Sequence, residues 1–349
     1  MGSITRYAAI NSRLKAMERR FLAKEQYKKI IKSVNYEESI SYIRDETLYG
    51  KIMNNYNLEK FNEENIQYIL MKDYIKNFHN ISSFFNGEYK KLFNIMFMKF
   101  QFEDLILILR EKHTGRKYTD ENLLITYDSP LNKINFEKII SSKDINEAIS
   151  MLKDNRFYKY LHGGLNPLDE ELLFRLEVSL DYIYYVELMK ALDNIDKEDK
   201  DIINKIIGSY IDLLNIQFIY RAKKYYKLSS EEILNHTIPN GFNININKLK
   251  RLCYHKNLEE FQDILADTKY KDLFKYGVEE DYLTEKYISS YIKKMLLKYK
   301  KEHKNNIGTV IAYLELSLFE IKDIISLLEA KRYCIEDEEL LSYISFTID

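Results

Sequence analysis

Three aspartates recur at every third position near the middle of the chain. Asp193, Asp196 and Asp199 could together hold a divalent metal ion, because such ions prefer carboxylate oxygens. Lys197 and Lys200 are interleaved with them, and the run stands where a helix is predicted to begin. The run also lacks the glycine and the closing glutamate of a calcium loop. We therefore expect a solvated acidic turn that complements a helix dipole.

The other reactive residue types do not form a catalytic or metal-ligating pattern. Cys253 and His255 are the only close Cys/His pair, and no second pair completes four zinc ligands. The glycines at 163 and 164 lack the spacing and the lysine of a phosphate loop. No serine or cysteine stands in a nucleophile elbow. We predict a non-catalytic protein without a cofactor or a resident metal, in which Cys253 is a reduced, buried thiol.

The elements that would position any site are helices that recur along the chain. The segments Gln101–Lys112, Ile211–Lys224 and Glu320–Lys331 align with apolar residues at i, i+3 and i+7, which places one stripe on one helix face. The aligned polar positions hold Asp104, Asn215 and Asp323 and, eight residues later, Lys112, Lys223 and Lys331.

A second set of segments repeats with the same period. Tyr27–Ile52, Phe136–Leu161 and Leu249–Phe274 align without a gap and share an aspartate, at positions Asp45, Asp154 and Asp267. The offsets are 109 and 113 residues here and 111 and 108 for the polar helix position. The chain thus consists of three consecutive copies of one helical unit of about 110 residues. Because each shared aspartate precedes an apolar helical stripe, we predict that it caps a helix.

No stretch alternates with period two, so the predicted fold class is all-α. One long helix is expected over Tyr7–Ile31, and others near 64–78, 89–112, 169–192, 202–226, 257–266, 282–303 and 308–331. Ser129-Pro130 and Ile238-Pro239-Asn240-Gly241 break the helical pattern. They divide the chain into repeat unit 1 (1–129), repeat unit 2 (130–240) and repeat unit 3 (241–349).

Charge and hydropathy exclude several classes of partner. The chain carries 53 Lys+Arg against 54 Asp+Glu, a formal net charge of −1. Such a balance argues against nucleic acid and against general adhesion to anionic lipid. No apolar run approaches the ~18 residues of a membrane span, so we expect no direct membrane insertion.

The sequence resembles a known family, the C subunits of the A/V-type rotary ATPases, whose eukaryotic members are the d subunits. The similarity lies in diffuse helical patterns whose order covers essentially the full length. They are Tyr7…Arg13-Leu14…Glu18…Phe21-Leu22…Tyr27, Glu177-Val-Ser-Leu180-Asp181-Tyr-Ile-Tyr184-Tyr185, Asp212-Leu-Leu-Asn215-Ile216…Tyr220-Arg221-Ala-Lys223 with Ile238-Pro239-Asn-Gly241, and Ala312-Tyr313-Leu314…Glu320-Ile321-Lys322…Ile325.

The resemblance implies three similar helical subdomains around a pseudo-threefold axis, forming a funnel. It implies a central-stalk subunit at the cytoplasmic face of the membrane, between a shaft made of the D and F subunits and the membrane rotor ring of proteolipid subunits. Torque would pass through it to a ring that carries H⁺ or Na⁺, in ATP synthesis or hydrolysis. The implied protein has no nucleotide or ion site.

The polar ends of the repeated helices are our candidate partner-binding residues. Their alternative role is to complement the helix dipole, with lysine in the last turn stabilising the C-terminal carbonyls. Two other functions stay open, an unrelated all-helical repeat scaffold for protein–protein interaction and an all-α enzyme with an interior carboxylate-metal site. The candidate residues are Asp104, Arg110, Lys112, Asn215, Arg221, Lys223, Asp323 and Lys331.

Overall fold

The computed structural model describes residues 3–55, 63–115, 124–155, 157–162, 172–226, 228–274, 281–302, 306–337, 340–341 and 344–345. Over these residues the regular secondary structure is helical, without a β-strand. The α-helices are α1 (Ser3–Met17), α2 (Lys24–Ile31), α3 (Tyr36–Glu46), α4 (Gly50–Met53), α5 (Glu63–Ser82), α6 (Gly87–Thr114), α7 (Phe136–Ile140), α8 (Ile145–Ser150), α9 (Tyr158–His162), α10 (Leu172–Ala191), α11 (Lys197–Lys224), α12 (Ser230–His236), α13 (Ile246–Tyr254), α14 (Leu258–Leu265), α15 (Asp281–Glu302) and α16 (Ile307–Arg332). The all-α prediction is therefore confirmed.

The long helices lie close to their predicted positions. Helices α5, α6, α10, α11, α15 and α16 each overlap a predicted segment over most of its length. Helix α6 continues to Thr114 and ends at Gly115, whose φ of 68° is left-handed. Glycine adopts this conformation without a steric penalty, which explains why the helix stops there.

The prediction of one helix over Tyr7–Ile31 is wrong. Helix α1 ends at Met17, a short 3-10 turn covers Glu18–Arg20, and α2 begins only at Lys24. Between them Phe21 leaves the helical conformation (φ −57°, ψ 135°), and the buried Leu22 donates its N–H to Glu320 Oε2 at 2.9 Å. The chain breaks here because a distant carboxylate takes a backbone donor that a continuous helix would use internally.

The capping prediction for the shared aspartates is also wrong. Asp45 lies in the last turn of α3 and pairs with Arg44 at 2.7 Å. Asp154 and Asp267 lie in turns that follow α8 and α14. In each case the residue comes at the end of a short helix and not before its first turn.

The repeated caps stand ten residues earlier, at Asn35, Asp144 and Asn257. Each side chain accepts a hydrogen bond at 2.9 Å from a backbone N–H three residues on, at Glu38, Glu147 and Glu260. Each of these glutamates accepts in turn from the N–H just before the cap, at 2.6, 2.8 and 2.8 Å. Such reciprocal bonds satisfy the free donors of a first helical turn. The three caps are 109 and 113 residues apart, so the sequence period recurs as a repeated local structure.

Contacts divide the chain into two compact units. Unit 1 comprises Met1–Ile81, Asp201–Ile206 and Leu265–Asp349. Its centre is α16, which is buried on nearly every side and packs against α15, α3 and α1. A helix that is apolar all round belongs in a protein interior.

Unit 2 comprises Ser82–Lys200 and Ile207–Ile264. Here α6 packs against α10 and α8, and α12 packs against α13. Phe102 of α6 meets Phe157 edge-on, with ring centroids 5.1 Å apart. Such aromatic pairs add to the free energy gained from burial.

The last long helix of each repeat (α6, α11 and α16) contacts another repeat. Helix α6 of the first repeat packs against α8 of the second. Tyr220 of α11, in the second repeat, contacts Phe261 of α14 in the third, with ring centroids 5.9 Å apart. Helix α16 of the third repeat packs against α1 and α3 of the first. The boundaries at 129 and 240 stay a prediction.

Candidate functional site

The three aligned polar residues of the long helices fasten distant chain segments. Asp104 accepts hydrogen bonds from the N–H of Ile125 at 3.0 Å, the N–H of Thr126 at 2.8 Å and the hydroxyl of Thr126 at 2.5 Å. Asn215 exchanges two bonds with the backbone of Ile238, at 2.7 and 2.8 Å.

Asp323 repeats this arrangement at the end of the chain. It accepts from the N–H of Ser345 at 2.6 Å and from the hydroxyl of Ser345 at 2.7 Å. The partners of the three residues lie 22, 23 and 22 positions later in sequence. Asp104, Asn215 and Asp323 are 3–4% exposed, so they act inside the protein.

Burial raises the pKa of both aspartates, Asp104 and Asp323. It raises the pKa of Asp104 to about 6, although the hydrogen bonds from Thr126 and Ile125 favour the carboxylate. Burial also raises the pKa of Asp323, opposed mainly by Lys293 at 3.2 Å. Asp104 is thus held by neutral hydrogen-bond donors, whereas Asp323 also has a charged partner in Lys293.

The three aligned lysines make a second set of internal contacts. Lys112 donates to the carbonyls of Ile140 and Ser142, at 2.5 and 2.8 Å, and Lys223 donates to the carbonyl of His255 at 2.5 Å. These carbonyls lie where α7 and α13 end, so the lysines stabilise the C-termini of helices in the next repeat. The alternative role that we considered for these lysines was to stabilise the C-terminus of the helix that carries them. Lys331, 8% exposed, pairs with Asp337 at 2.7 Å.

The two arginines lie nearer the surface. Arg110 is exposed and pairs with Glu177 of α10 at 2.6 Å. Arg221 is half-buried and lines a pocket within unit 2. Of the eight candidate residues, these two present their charge where another protein could reach it.

The pocket has a volume of about 210 Å³ and is bounded by α10, α11 and α12. Glu177 and Asp181 reach it from α10, Asn215 and Arg221 from α11, and His236 from α12. One wall is aromatic, because Phe174 stacks on Tyr226 at 3.8 Å and on Phe218 at 5.9 Å. The tertiary structure thus brings together the two central motifs that carried the family resemblance.

Asp181 is the residue of this pocket that our candidate set missed. Its side chain is exposed to solvent within this concave surface, and desolvation by the surrounding protein atoms raises its pKa to about 6. The charge of Lys99 lowers this pKa, whereas the charges of Glu177 and Glu103 raise it further. The signal in the sequence was the four-residue spacing of Glu177 and Asp181, which places both on one helix face.

The acidic run at the start of α11 is only partly solvated. Asp193 is exposed and pairs with Lys200 at 3.0 Å, as expected. Asp199 is buried, however, and accepts a 2.5 Å hydrogen bond from the hydroxyl of Tyr89, which lies 3.0 Å from Asp196. One end of the acidic run is therefore buried inside the protein, against a tyrosine 110 positions away in sequence. In the described part of the chain, no three His, Cys, Asp or Glu side chains gather as metal ligands.

The thiols differ in exposure. Cys253 is buried, as predicted, and its burial raises the pKa of the thiol to about 12. It is therefore a protonated packing residue at neutral pH. Cys334 is exposed.

Known proteins are similar to this chain over nearly all of its helices. The family model of the ATP synthase (C/AC39) subunit matches residues 10–343. The A-type ATP synthase C subunit of Methanocaldococcus jannaschii is 24% identical over 353 residues, covering 96% of this chain and 85% of the relative. The corresponding C subunits of Methanosphaera stadtmanae and Pyrococcus abyssi are each 22% identical, covering 93% of this chain and 84% and 87% of the relatives. Because the family match runs from α1 to beyond α16, this protein belongs to the ATP synthase (C/AC39) subunit family.

Proposed function

We propose that this protein is a non-catalytic central-stalk subunit of a rotary A/V-type ATPase, at the cytoplasmic face of the membrane. It couples a shaft made of the D and F subunits to the membrane rotor ring, so that rotation is linked to H⁺ or Na⁺ transport. The observation that carries this proposal is the family match over residues 10–343. That match also removes the alternative of an unrelated helical scaffold.

The internal hydrogen bonds of the repeated polar residues support a mechanical role. A coupling element must transmit torque without yielding, and close-packed helices have low compressibility. Asp104, Asn215 and Asp323 tie each long helix to a segment about 22 residues later. Lys112 and Lys223 tie the ends of two long helices to the next repeat.

The proposal includes the arrangement of three similar subdomains as a funnel around a pseudo-threefold axis. Two observations support it. The same cap recurs at Asn35, Asp144 and Asn257. In addition, α6 and α11 each contact the following repeat, and α16 of the last repeat contacts the first.

The residues that contact partners are also a proposal. Among the eight candidates, we favour Arg110 and Arg221, because both lie within reach of solvent at or beside the α10–α11 pocket. The other six make internal hydrogen bonds or ion pairs and are buried or half-buried, whereas the pair of Arg110 with Glu177 lies at the surface. No described helix has an apolar stretch long enough to cross a bilayer.

Reconstitution in vesicles tests the coupling role. The complete rotary complex is compared with a complex assembled without this chain, and ATP hydrolysis and ATP-driven ion uptake are both measured. We expect hydrolysis by the catalytic head to persist without the chain while ion uptake is lost. Adding the purified chain back should restore uptake and should retain the D, F and ring subunits in a pull-down.

The control is a second addition in which the chain has been unfolded by heat, which should restore nothing. Ion uptake that is the same with and without the chain would contradict the proposed coupling. Failure of the tagged chain to bring down either the shaft or the ring subunits would contradict the proposed position.

A further inference from the structure

One region of unit 2 departs strongly from the charge balance of the chain. Residues 213–230 and 233–258 contain no aspartate or glutamate; Glu231 and Glu232 stand between them in sequence, and Glu231 accepts a hydrogen bond from the hydroxyl of Tyr254 at 3.0 Å. The two segments carry eight cations, although the whole chain has a net charge of −1. The cations are Arg221, Lys223, Lys224, Lys227, Lys248, Lys250, Arg251 and Lys256.

The tertiary structure brings these segments together. Lys223 at the end of α11 donates to the carbonyl of His255, just beyond α13, at 2.5 Å. The neighbouring Lys224 lies over the ring of Tyr225 at 4.9 Å. The C-terminal end of α11 therefore lies beside the C-terminal end of α13.

Exposed apolar side chains lie on the same two segments. Ile246, Tyr254 and Tyr225 are 58, 49 and 51% exposed. Ile246, Lys250 and Tyr254 are spaced by four residues on α13, so they share one face of that helix. Exposed apolar groups gathered in one place mark contact surfaces more often than isolated ones do.

The cations of this surface are available for a partner. Lys250, Arg251 and Lys256 are exposed, and their side chains have no hydrogen bond or ion pair with the described residues. Their fields are local, because charges more than about 8 Å away are largely screened at physiological salt. The near-neutral total therefore does not cancel them locally, although it argued against general adhesion to anionic lipid.

We propose that this surface, the α13 face (Tyr225, Ile246, Lys250, Arg251, Tyr254 and Lys256), binds the anionic phospholipid headgroups of a membrane surface. Lysine outnumbers arginine among its cations, whereas protein–protein interfaces are depleted in lysine. Long lysine stems can cover apolar surface while their ammonium groups meet phosphates. Tyrosine favours the boundary between headgroups and acyl chains. The inference is independent of the coupling proposal.

Sedimentation of the full chain with vesicles tests this binding. Vesicles of phosphatidylcholine alone are compared with vesicles containing about one third phosphatidylserine. We expect binding only to the anionic vesicles, with an affinity that falls as salt rises. The triple variant Lys250→Gln/Arg251→Gln/Lys256→Gln should lower the partition coefficient on the order of a hundredfold, because each cation contributes about fivefold.

The matched control is Lys153→Gln/Lys294→Gln/Lys301→Gln. It removes the same charge from three exposed lysines that also lack side-chain partners among the described residues. We expect it to retain binding within about threefold, since its lysines lie outside the α13 face. Ile246→Ser/Tyr254→Ser should also weaken binding while leaving the net charge unchanged. Circular dichroism melting checks that each variant is folded.

Three results would overturn the inference. The first is no binding of the full chain to anionic vesicles. The second is an equal loss in both lysine variants, which would show attraction by total charge alone. The third is an α13-face variant that binds vesicles normally but is lost from the assembled complex, which would make the surface a protein interface. Loss of vesicle binding with intact ion coupling would support the inference and leave the coupling role unaffected.

Discussion

The carboxylate of Glu320 accepts a 2.7 Å hydrogen bond from the hydroxyl of Tyr49, 271 positions away in sequence. Its second oxygen accepts from the N–H of Leu22 at 2.9 Å. Burial raises the pKa of Glu320 to about 7, although both hydrogen bonds and the charge of Lys293 favour the ionised form. The residue that interrupts the first helical segment is therefore one that titrates near neutral pH.

This pKa predicts how stability depends on pH. The folded-state pKa of Glu320 lies above its ordinary value of 4.5, so its contribution is fully present below about pH 4.5 and is lost as pH rises through about 7. The loss in the free energy of unfolding is at most about 3 kcal/mol. Glu320→Gln cannot ionise, so we expect its denaturant-unfolding free energy to fall less than the wild type's between pH 5 and pH 8.

Two variants sharpen this comparison. Tyr49→Phe removes a donor to the carboxylate, so the stability loss should move to a higher pH. Glu25→Gln changes an exposed glutamate and should leave the pH profile parallel to that of the wild type. A Glu320→Gln profile parallel to the wild type would show that Glu320 does not titrate in this range.

Asp104 is predicted to be essential for holding residues 125–126. Asp104→Ala leaves two backbone N–H groups and the Thr126 hydroxyl without their acceptor. We expect a loss of about 2–4 kcal/mol in the free energy of unfolding at pH 7, measured by urea denaturation. Asp45→Ala removes an exposed pair with Arg44 and should leave the free energy of unfolding nearly unchanged. Equal losses in both variants would contradict the fastening role of Asp104.

Lys112 is predicted to stabilise the end of α7. Lys112→Met keeps much of the aliphatic stem but removes the donor to Ile140 and Ser142, so we expect a loss of about 1–2 kcal/mol. Faster amide hydrogen exchange should appear around residues 140–144. Lys91→Met disrupts an exposed pair with Glu88 and serves as the control. Unchanged exchange at the end of α7 in Lys112→Met would refute this assignment.

Glycine is predicted to be required at position 241, because the Asp212 carboxylate leaves no room for a side chain there. A Cβ at this position would lie 2.0 Å from Asp212 Oδ1, and Asp212 accepts from the N–H groups of Phe242, Asn243 and Ile244. Gly241→Ala should therefore destabilise by about 2–4 kcal/mol, as measured by thermal or urea unfolding. Gly115→Ala meets open space and only a left-handed φ, so about 1 kcal/mol is expected. The reverse ranking would be inconsistent with the Asp212 contact.

Arg110 and Arg221 are predicted to matter for coupling more than for folding. Arg110→Glu/Arg221→Glu should weaken ATP-driven ion uptake in the reconstituted complex by about tenfold, because reversed charges oppose a complementary partner. The melting temperature of the isolated chain should change little, since Arg110 is exposed and Arg221 only half-buried. The control is Lys153→Glu/Lys294→Glu, which reverses two exposed lysines. Full coupling in the arginine variant would remove both residues from the proposed contact surface.

The sequence predicted the long helices because their signal is local. Apolar residues at helical spacing must share a face, and that face must be buried wherever the helix packs. The period of about 110 residues was equally visible, and it reappears in the caps at Asn35, Asp144 and Asn257. The prediction that Asp45, Asp154 and Asp267 are the caps failed, because the sequence pattern around an aspartate does not distinguish the start of a helix from its end.

By itself, the sequence determined the all-helical class, the threefold repetition and the family, since these depend on residue spacing within short segments and on their order. Tertiary structure decided what the repeated polar residues do. Asp104, Lys112 and Glu320 acquire their roles from partners 22, 30 and 298 positions away. Burial raises the pKa of a carboxylate and makes a backbone donor need an acceptor, and neither effect exists until distant segments exclude water around the group.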